Sequence, residues 1–419
     1  MEIIERSMKI PFNIPYHFVS EEQNAIRCLR SGSICGNGEY GVRAARLLEE
    51  KYGIRKAFLT PSCTAALEMG VVLSGLQSGD EVILPSYTFS STANAVVLQG
   101  GKPVFCDVDP RTMNIDVMLI EQLITEKTRM ILPIDYAGIP CEIERICEIA
   151  RKYGLTVLQD AAQSIDSFVS DKATGSLSPL VAFSFHETKN VSCGEGGALC
   201  VNDEALVEKA HFVQEKGTDR NLVLCGVKDK YTWVTKGSSF LLSDILAAVL
   251  LSQLEHVEFI TAKRSVVTGA YLRLFERYAQ AGCLRIADIP GNVSVNHHAF
   301  FVIFDSEEHR AQFLKRLRDK RIHAYIGYVP LHSSPMGRSY GYRPEDLPVT
   351  ESVSRRIVRL PFYTALSEEG LEYCLEGINS VLCSIYGIQR INCADLHPSV
   401  SAPLWRGVSE KSPKTEIER

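Results

Sequence analysis

Up to about residue 205 the chain alternates two hydrophobic patterns. Short β-rich runs recur: EVILP from Glu81, KPVFCDV from Lys102, RMILPIDY from Arg129, LTVLQDA from Leu155, VAFSF from Val181 and GALCVN from Gly197. Between them, apolar residues return at helical spacing in SCTAALEMGVVLSGL, NIDVMLIEQLI and EIERICEIARKYG. Short apolar runs predict buried strands, and the longer periodic stretches predict helices. Their alternation predicts an α/β fold with a largely parallel sheet covered on both faces. In such sheets the ligand crevice lies beyond the carboxyl ends of the strands. Polar residues at those ends, namely Ser86, Asp107, Asp135 and Asp160, are therefore site candidates.

From Ser238 to about Gln280 the pattern is helical throughout and predicts one or two long helices. After Pro290 come the apolar run AFFVIF, the amphipathic stretch HRAQFLKRLRDKR, the strand-like pieces HAYIGYV and RIVRLPFY, and a last helix, SEEGLEYCLEGINSVL. The expected division is a large α/β domain over residues 1–280, a smaller α+β domain over 281–390, and a polar tail over 391–419, expected to be poorly ordered.

Composition narrows the function classes. Apolar residues make up 45% and charged residues 23%, ordinary values for a globular protein. The net charge of −5 shows no basic excess, so no nucleic-acid partner is expected. No run reaches the roughly 18 apolar residues of a membrane span. The opening MEIIERSMKIPF has no signal-peptide core, so a cytoplasmic location is expected. The 13 cysteines are odd in number and form no C-x-x-C pair; several, such as Cys106, Cys200 and Cys374, sit in apolar runs. Reduced, buried thiols are the expected state, with no metal site.

The chemistry concentrates between Leu158 and Leu199. Asp160 closes a predicted strand. Lys189 lies in the polar turn HETKN just past the next one, and a glycine-rich loop, CGEGG, follows. A lysine with a depressed pKa is a nucleophile and forms Schiff bases with aldehydes. An opposing carboxylate can keep a pyridinium nitrogen protonated, and together they make the minimal set for pyridoxal 5′-phosphate (PLP). Ser184 supplies a hydroxyl for the phosphate. Singly, each residue has a plainer reading: a solvated surface lysine, or an aspartate capping a helix. Their joint order and local structure favour the cofactor. In LTPSCTAALEM a turn leads into a helix whose first turn holds Ser62, Cys63 and Thr64. Amides there bind phosphate, although an ordinary N-cap explains the same residues. PSYTFSSTANAV offers Tyr87 or Phe89 to stack on a flat ring, or simply to fill the core.

These stretches, with TMNID, DAAQS, FSFHETKN, EKGTDR, DKYTWVTKGSSFLLSD, PLHSSP and RLPFY, resemble the sugar aminotransferases of the DegT/DnrJ/EryC1/StrS family over residues 10–385. The resemblance implies the PLP-dependent transferase fold type I, with a large, mostly parallel-sheet α/β domain and a smaller α+β C-terminal domain. It implies that Lys189 is the Schiff-base lysine and proton carrier. Asp160 would pair with the ring nitrogen, and Gln163 would lie near the ring's phenolic oxygen. Phe89 would stack on the ring, and Ser184 with the amides of Cys63 and Thr64 would hold the phosphate. Ser239 stands where a neighbouring subunit usually contributes an Asn to that phosphate.

For the sugar side the same resemblance suggests Tyr328 and His332. It also shows Asp135 where close relatives carry a His in P-V-H-Y-A-G. The implied partners are L-glutamate and a dTDP-4-keto-6-deoxyhexose aminated at C4, acted on by a homodimer. Open alternatives are a 3-keto or UDP-linked sugar and a non-catalytic regulator. The family's dehydratases carry a His in place of the Schiff-base lysine, so Lys189 argues against that activity.

Overall fold

A computed structural model describes residues 8–388, so the polar tail lies outside the described residues. Seven strands form the central sheet in the order Lys56–Thr60, Gly197–Val201, Leu180–Ser184, Thr156–Asp160, Thr128–Ile131, Glu81–Pro85, Lys102–Cys106. All run parallel except Gly197–Val201, which is antiparallel to both neighbours. The hydrophobic pattern foretold six of the seven. Lys56–Thr60, KAFLT, has only three apolar residues between its polar ends and does not stand out as a run.

Burial on both faces explains the near-continuous apolar runs. Leu84 and Leu158 pack on the Cys63–Ser74 helix, while the alternate residues Ile83 and Val157 pack on the Ile143–Tyr153 helix. Gly70 permits the first contact, because a Cβ there would come 2.8 Å from Leu158 Cδ1. Val181 and Phe183 pack toward the Glu39–Tyr52 and Asp244–Glu255 helices. The predicted long helical region is two helices, Asp244–Glu255 and Val257–Gln280, bent by 61° at His256. Among the described residues no single helix is long and apolar enough to cross a membrane.

The smaller unit is a three-stranded antiparallel sheet, Leu284–Ile286, Phe301–Phe304 and Ile357–Arg359, with the Glu307–Asp319 and Glu368–Tyr386 helices. Two expectations need correction. The unit does not begin at residue 281: its core includes Val267, Tyr271, Leu274, Phe275 and Tyr278 of the preceding helix, and Ile10 from the start of the chain. One face of that helix packs into the same core as the two helices of the smaller unit. HAYIGYV is not a strand. It forms a single bridge, Tyr325 to Arg359, and then turns inward, so that Gly327 lies against the Tyr87 hydroxyl, where a Cβ would come within 1.6 Å.

Candidate active site

The carboxyl edge of the sheet brings the chemistry-bearing residues into one cavity of about 320 Å³. Because Gly197–Val201 runs antiparallel, its first residue sits beside the last residues of two parallel strands, Ser184 and Thr60. Cys63, Thr64, Phe89, Asp160, Gln163, Ser184, Lys189 and Tyr328 all line the cavity.

Asp160 ends its strand and is 7% exposed. Thr92 donates to Oδ2 at 2.8 Å and the Ala162 N–H donates to Oδ1 at 3.1 Å. Burial raises its pKa; the two hydrogen bonds and the Lys189 charge oppose that without cancelling it. Lys189 sits in the turn after Leu180–Ser184, its N–H bonded to the His186 carbonyl at 2.9 Å. The next residue anchors it: Asn190 Nδ2 donates to the Asn296 carbonyl at 2.7 Å, and its Oδ1 lies 2.9 Å from His298 Nδ1. Burial lowers the lysine pKa, Cys63 and Asp160 raise it, and the Arg359 charge lowers it further; the net direction is down. A buried amine biased toward its neutral form is what carbonyl attack requires.

At the other end, Ser62 caps the Cys63–Ser74 helix by accepting from the Ala65 N–H at 3.1 Å. The Cys63 and Thr64 amides are first-turn donors without intrahelical partners. Gly197 packs against this turn, and a Cβ there would lie 2.5 Å from the Cys63 nitrogen. Burial pushes the Cys63 thiol well up, so it stays protonated and its amide is the useful group. Thr64 Oγ1 and Ser91 Oγ are 2.8 Å apart. Gln163 is fixed from both sides: its Oε1 accepts from the Ala137 N–H at 2.7 Å, and its Nε2 donates to the Tyr328 hydroxyl at 2.9 Å. Burial pushes the Tyr328 phenol up to about 12. Phe89 is 58% exposed with its ring at the cavity wall, 6.2 Å from the Tyr328 ring.

The donor set fits PLP. A glycine-backed helix N-terminus and Ser184 suit a phosphate, a buried carboxylate suits a pyridinium, and a desolvated lysine suits an aldehyde. When bound, the cofactor supplies an electron sink. Lys189 is placed where it would hold or move a proton at Nζ, Asp160 where it would fix charge, and Gln163 and Phe89 where they would orient a flat ring.

Two proposed residues stand outside the cavity, and a third lines it with its side chain engaged by other groups. His332 is fully buried and does not line the cavity. Its Nδ1 lies 2.6 Å from Ser86 Oγ and its Nε2 lies 3.5 Å from Glu351, so it ties the segment after Tyr328 to the end of the Glu81–Pro85 strand. The sugar-binding expectation for His332 is thereby corrected. Asp135 borders the cavity, yet its carboxylate is occupied: Oδ1 accepts from the Cys141 N–H at 2.9 Å, and Oδ2 accepts from Gln159 Nε2 at 2.8 Å and Ser164 Oγ at 2.6 Å. It braces a loop that contains Ala137 at φ +56° and offers no free oxygen to a substrate. Ser239 is exposed, outside the cavity of its own chain.

Sequence reasoning gave no role to Thr92, His298 or Arg359. Thr92 follows Phe89 by three residues, nearly one helical turn, in the same quoted stretch, and Arg359 opens RLPFY; both signals were present but pointed to no partner until the strands converged.

A model of the DegT/DnrJ/EryC1/StrS aminotransferase family matches residues 17–379. A pleiotropic regulatory protein of Geobacillus stearothermophilus is 33% identical, over 75% of this chain and 81% of its own. GDP-perosamine synthase of Caulobacter vibrioides is 29% identical, over 87% and 95%. Among solved structures, NtdA of Bacillus subtilis with bound PMP is 26% identical with a TM-score of 0.78, over 90% and 87%.

Proposed function

Because the chain belongs to the DegT/DnrJ/EryC1/StrS aminotransferase family, we propose that this PLP-dependent sugar aminotransferase moves an amino group from L-glutamate to C4 of a dTDP-4-keto-6-deoxyhexose. The product would be dTDP-4-amino-4,6-dideoxygalactose, as for a dTDP-4-amino-4,6-dideoxygalactose transaminase serving lipopolysaccharide or enterobacterial common antigen synthesis. The observation that carries the reading is Lys189 facing Asp160 in one cavity. The SFHETKN and DKYTW…GSS stretches support the sugar assignment.

Lys189 would take the α-proton of the amino-acid donor in one half-reaction and deliver a proton to C4 of the sugar in the other, the cofactor carrying the amino group between them. Tyr328 and Gln163, hydrogen-bonded to each other, form the wall nearest the acceptor. We take the working unit to be a homodimer in the cytoplasm, with Ser239 of one protomer reaching the phosphate end of its partner's cavity. The exposed run Leu224, Val227, Tyr231 and Trp233, just before Ser239, supports such a contact.

A GDP-linked 4-keto sugar is the second reading, favoured by the GDP-perosamine synthases of Caulobacter vibrioides and Escherichia coli O157:H7 among the relatives. The test is a panel of dTDP-, UDP- and GDP-linked 3-keto and 4-keto sugars with L-glutamate, products resolved by NMR. Preference for the dTDP-4-keto sugar supports the proposal; preference for another nucleotide or for C3 replaces it. Lys189→Ala should abolish transfer and the absorbance band of covalently bound PLP.

A further inference from the structure

We propose that Arg359 holds a carboxylate of the amino-acid donor. The inference rests on the aminotransferase reading above and adds a residue for the donor, to which no group has yet been assigned.

Arg359 ends the Ile357–Arg359 strand of the smaller unit and lines the cavity. Its backbone is held on both sides. It pairs with Phe301, and its N–H donates to the Tyr325 carbonyl at 2.7 Å while its carbonyl accepts from the Tyr325 N–H at 3.0 Å. The guanidinium carbon rests 5.4 Å from the centroid of the Phe12 ring, which is itself set edge-on to Tyr325. Phe12 also lines the cavity, so the guanidinium is positioned at the wall before any ligand arrives.

The charge is uncompensated. Nε is buried without a hydrogen-bond partner. Among the described residues no carboxylate comes within 4.0 Å of the guanidinium. The acids that line the cavity are engaged elsewhere: Asp160 with Thr92 and Ala162, Asp135 with Cys141, Gln159 and Ser164, and Glu195 at 3.7 Å from His186. A partly buried guanidinium without a counter-charge is costly to keep, and a planar fork of donors matches a carboxylate in two-point fashion.

Position selects between the two anionic reactants. Arg359 interacts electrostatically with both Lys189 and Tyr328. In an α-amino acid the carboxylate is one bond from the carbon that loses its amine, so it must sit beside the lysine. In a nucleotide sugar aminated at C4 the diphosphate lies across the sugar ring from the reacting carbon. A guanidinium close to Lys189 therefore serves the amino acid.

The test uses PLP-loaded protein and glutarate, a dicarboxylate without an amine. Arg359→Gln should weaken glutarate binding in isothermal titration about ten- to a hundredfold. It should raise KM for L-glutamate by a similar factor, with the KM for the keto-sugar nucleotide and the bound-PLP spectrum unchanged. Arg359→Lys, which keeps the charge but not the fork, should fall between. Unchanged glutarate affinity in Arg359→Gln overturns the proposal, and so does lost sugar-nucleotide affinity with glutarate retained. If Arg359→Gln does not fold, unchanged affinity in Arg359→Lys overturns it equally. Wild-type protein that transfers no amino group would count against the aminotransferase reading, while glutarate titration would still report on Arg359.

Discussion

Thr92 donates its hydroxyl to Asp160 Oδ2 at 2.8 Å from a different segment of the fold, 68 residues away in sequence. Thr88 stands 2.8 Å behind it, hydroxyl to hydroxyl, so the carboxylate is the end of a short polar chain inside a buried wall. The orientation of Asp160 thus depends on a helix whose first residues also carry Phe89. The position of the Phe89 ring and the orientation of the Asp160 carboxylate are coupled through one element.

Replacing that hydroxyl should be felt through charge. Thr92→Val should destabilise the cofactor-free protein by about 1–3 kcal/mol at neutral pH, because a buried acceptor loses its donor. The lost bond is to the ionised form, so the folded-state pKa of Asp160 moves further up. The deficit should shrink as the pH falls through the raised folded-state pKa values of Asp160, below which both proteins are protonated there. Urea unfolding across pH checks this; a deficit independent of pH would assign the loss to packing instead.

Gly197→Ala should damage the phosphate cradle selectively. The new methyl would meet the Cys63 nitrogen at 2.5 Å, and backbone cannot rotate away as a side chain can. Strain of about 1–3 kcal/mol is the expected cost to stability, together with at least about a tenfold loss of PLP affinity, equivalent to roughly 1.4 kcal/mol. A spectrophotometric PLP titration beside thermal unfolding separates the two effects.

Asp135 gives a pH signature. Burial raises its pKa to about 6, against the opposing hydrogen bonds of Ser164, Cys141 and Gln159. The unfolded value is near 3.9. Between about 4 and 6 the folded state binds more protons than the unfolded one, so stability falls as pH rises through that window, by up to about 3 kcal/mol. Asp135→Asn should flatten the slope, and a slope that survives would place its origin at another buried carboxylate.

His332 should behave as a structural residue. Its removal in His332→Ala strips the buried Ser86 hydroxyl of its partner. The expected cost is about 1–3 kcal/mol, with KM for the sugar nucleotide nearly unchanged in protein that remains folded. A large rise in that KM without loss of stability would restore the sugar-binding role.

Alternating strand and helix patterns, Asp160 at a strand end, Lys189 beyond the next strand and the helix N-terminus at Ser62 were all legible along the chain. Each is encoded locally: burial on both faces makes an apolar run, and a cap or turn needs only near neighbours. The residues that act across distance were not legible. Thr92 meets Asp160, Arg359 enters the cavity from the smaller unit, and His332 turns away from it because strand order and helix packing decide which side chains converge. Periodicity gives the face on which a residue lies, and only the closed structure determines what stands opposite. The same physics explains Asp135: a carboxylate at a strand end looks free in sequence, yet the fold brings three donors to it and engages both of its oxygens in a buried position.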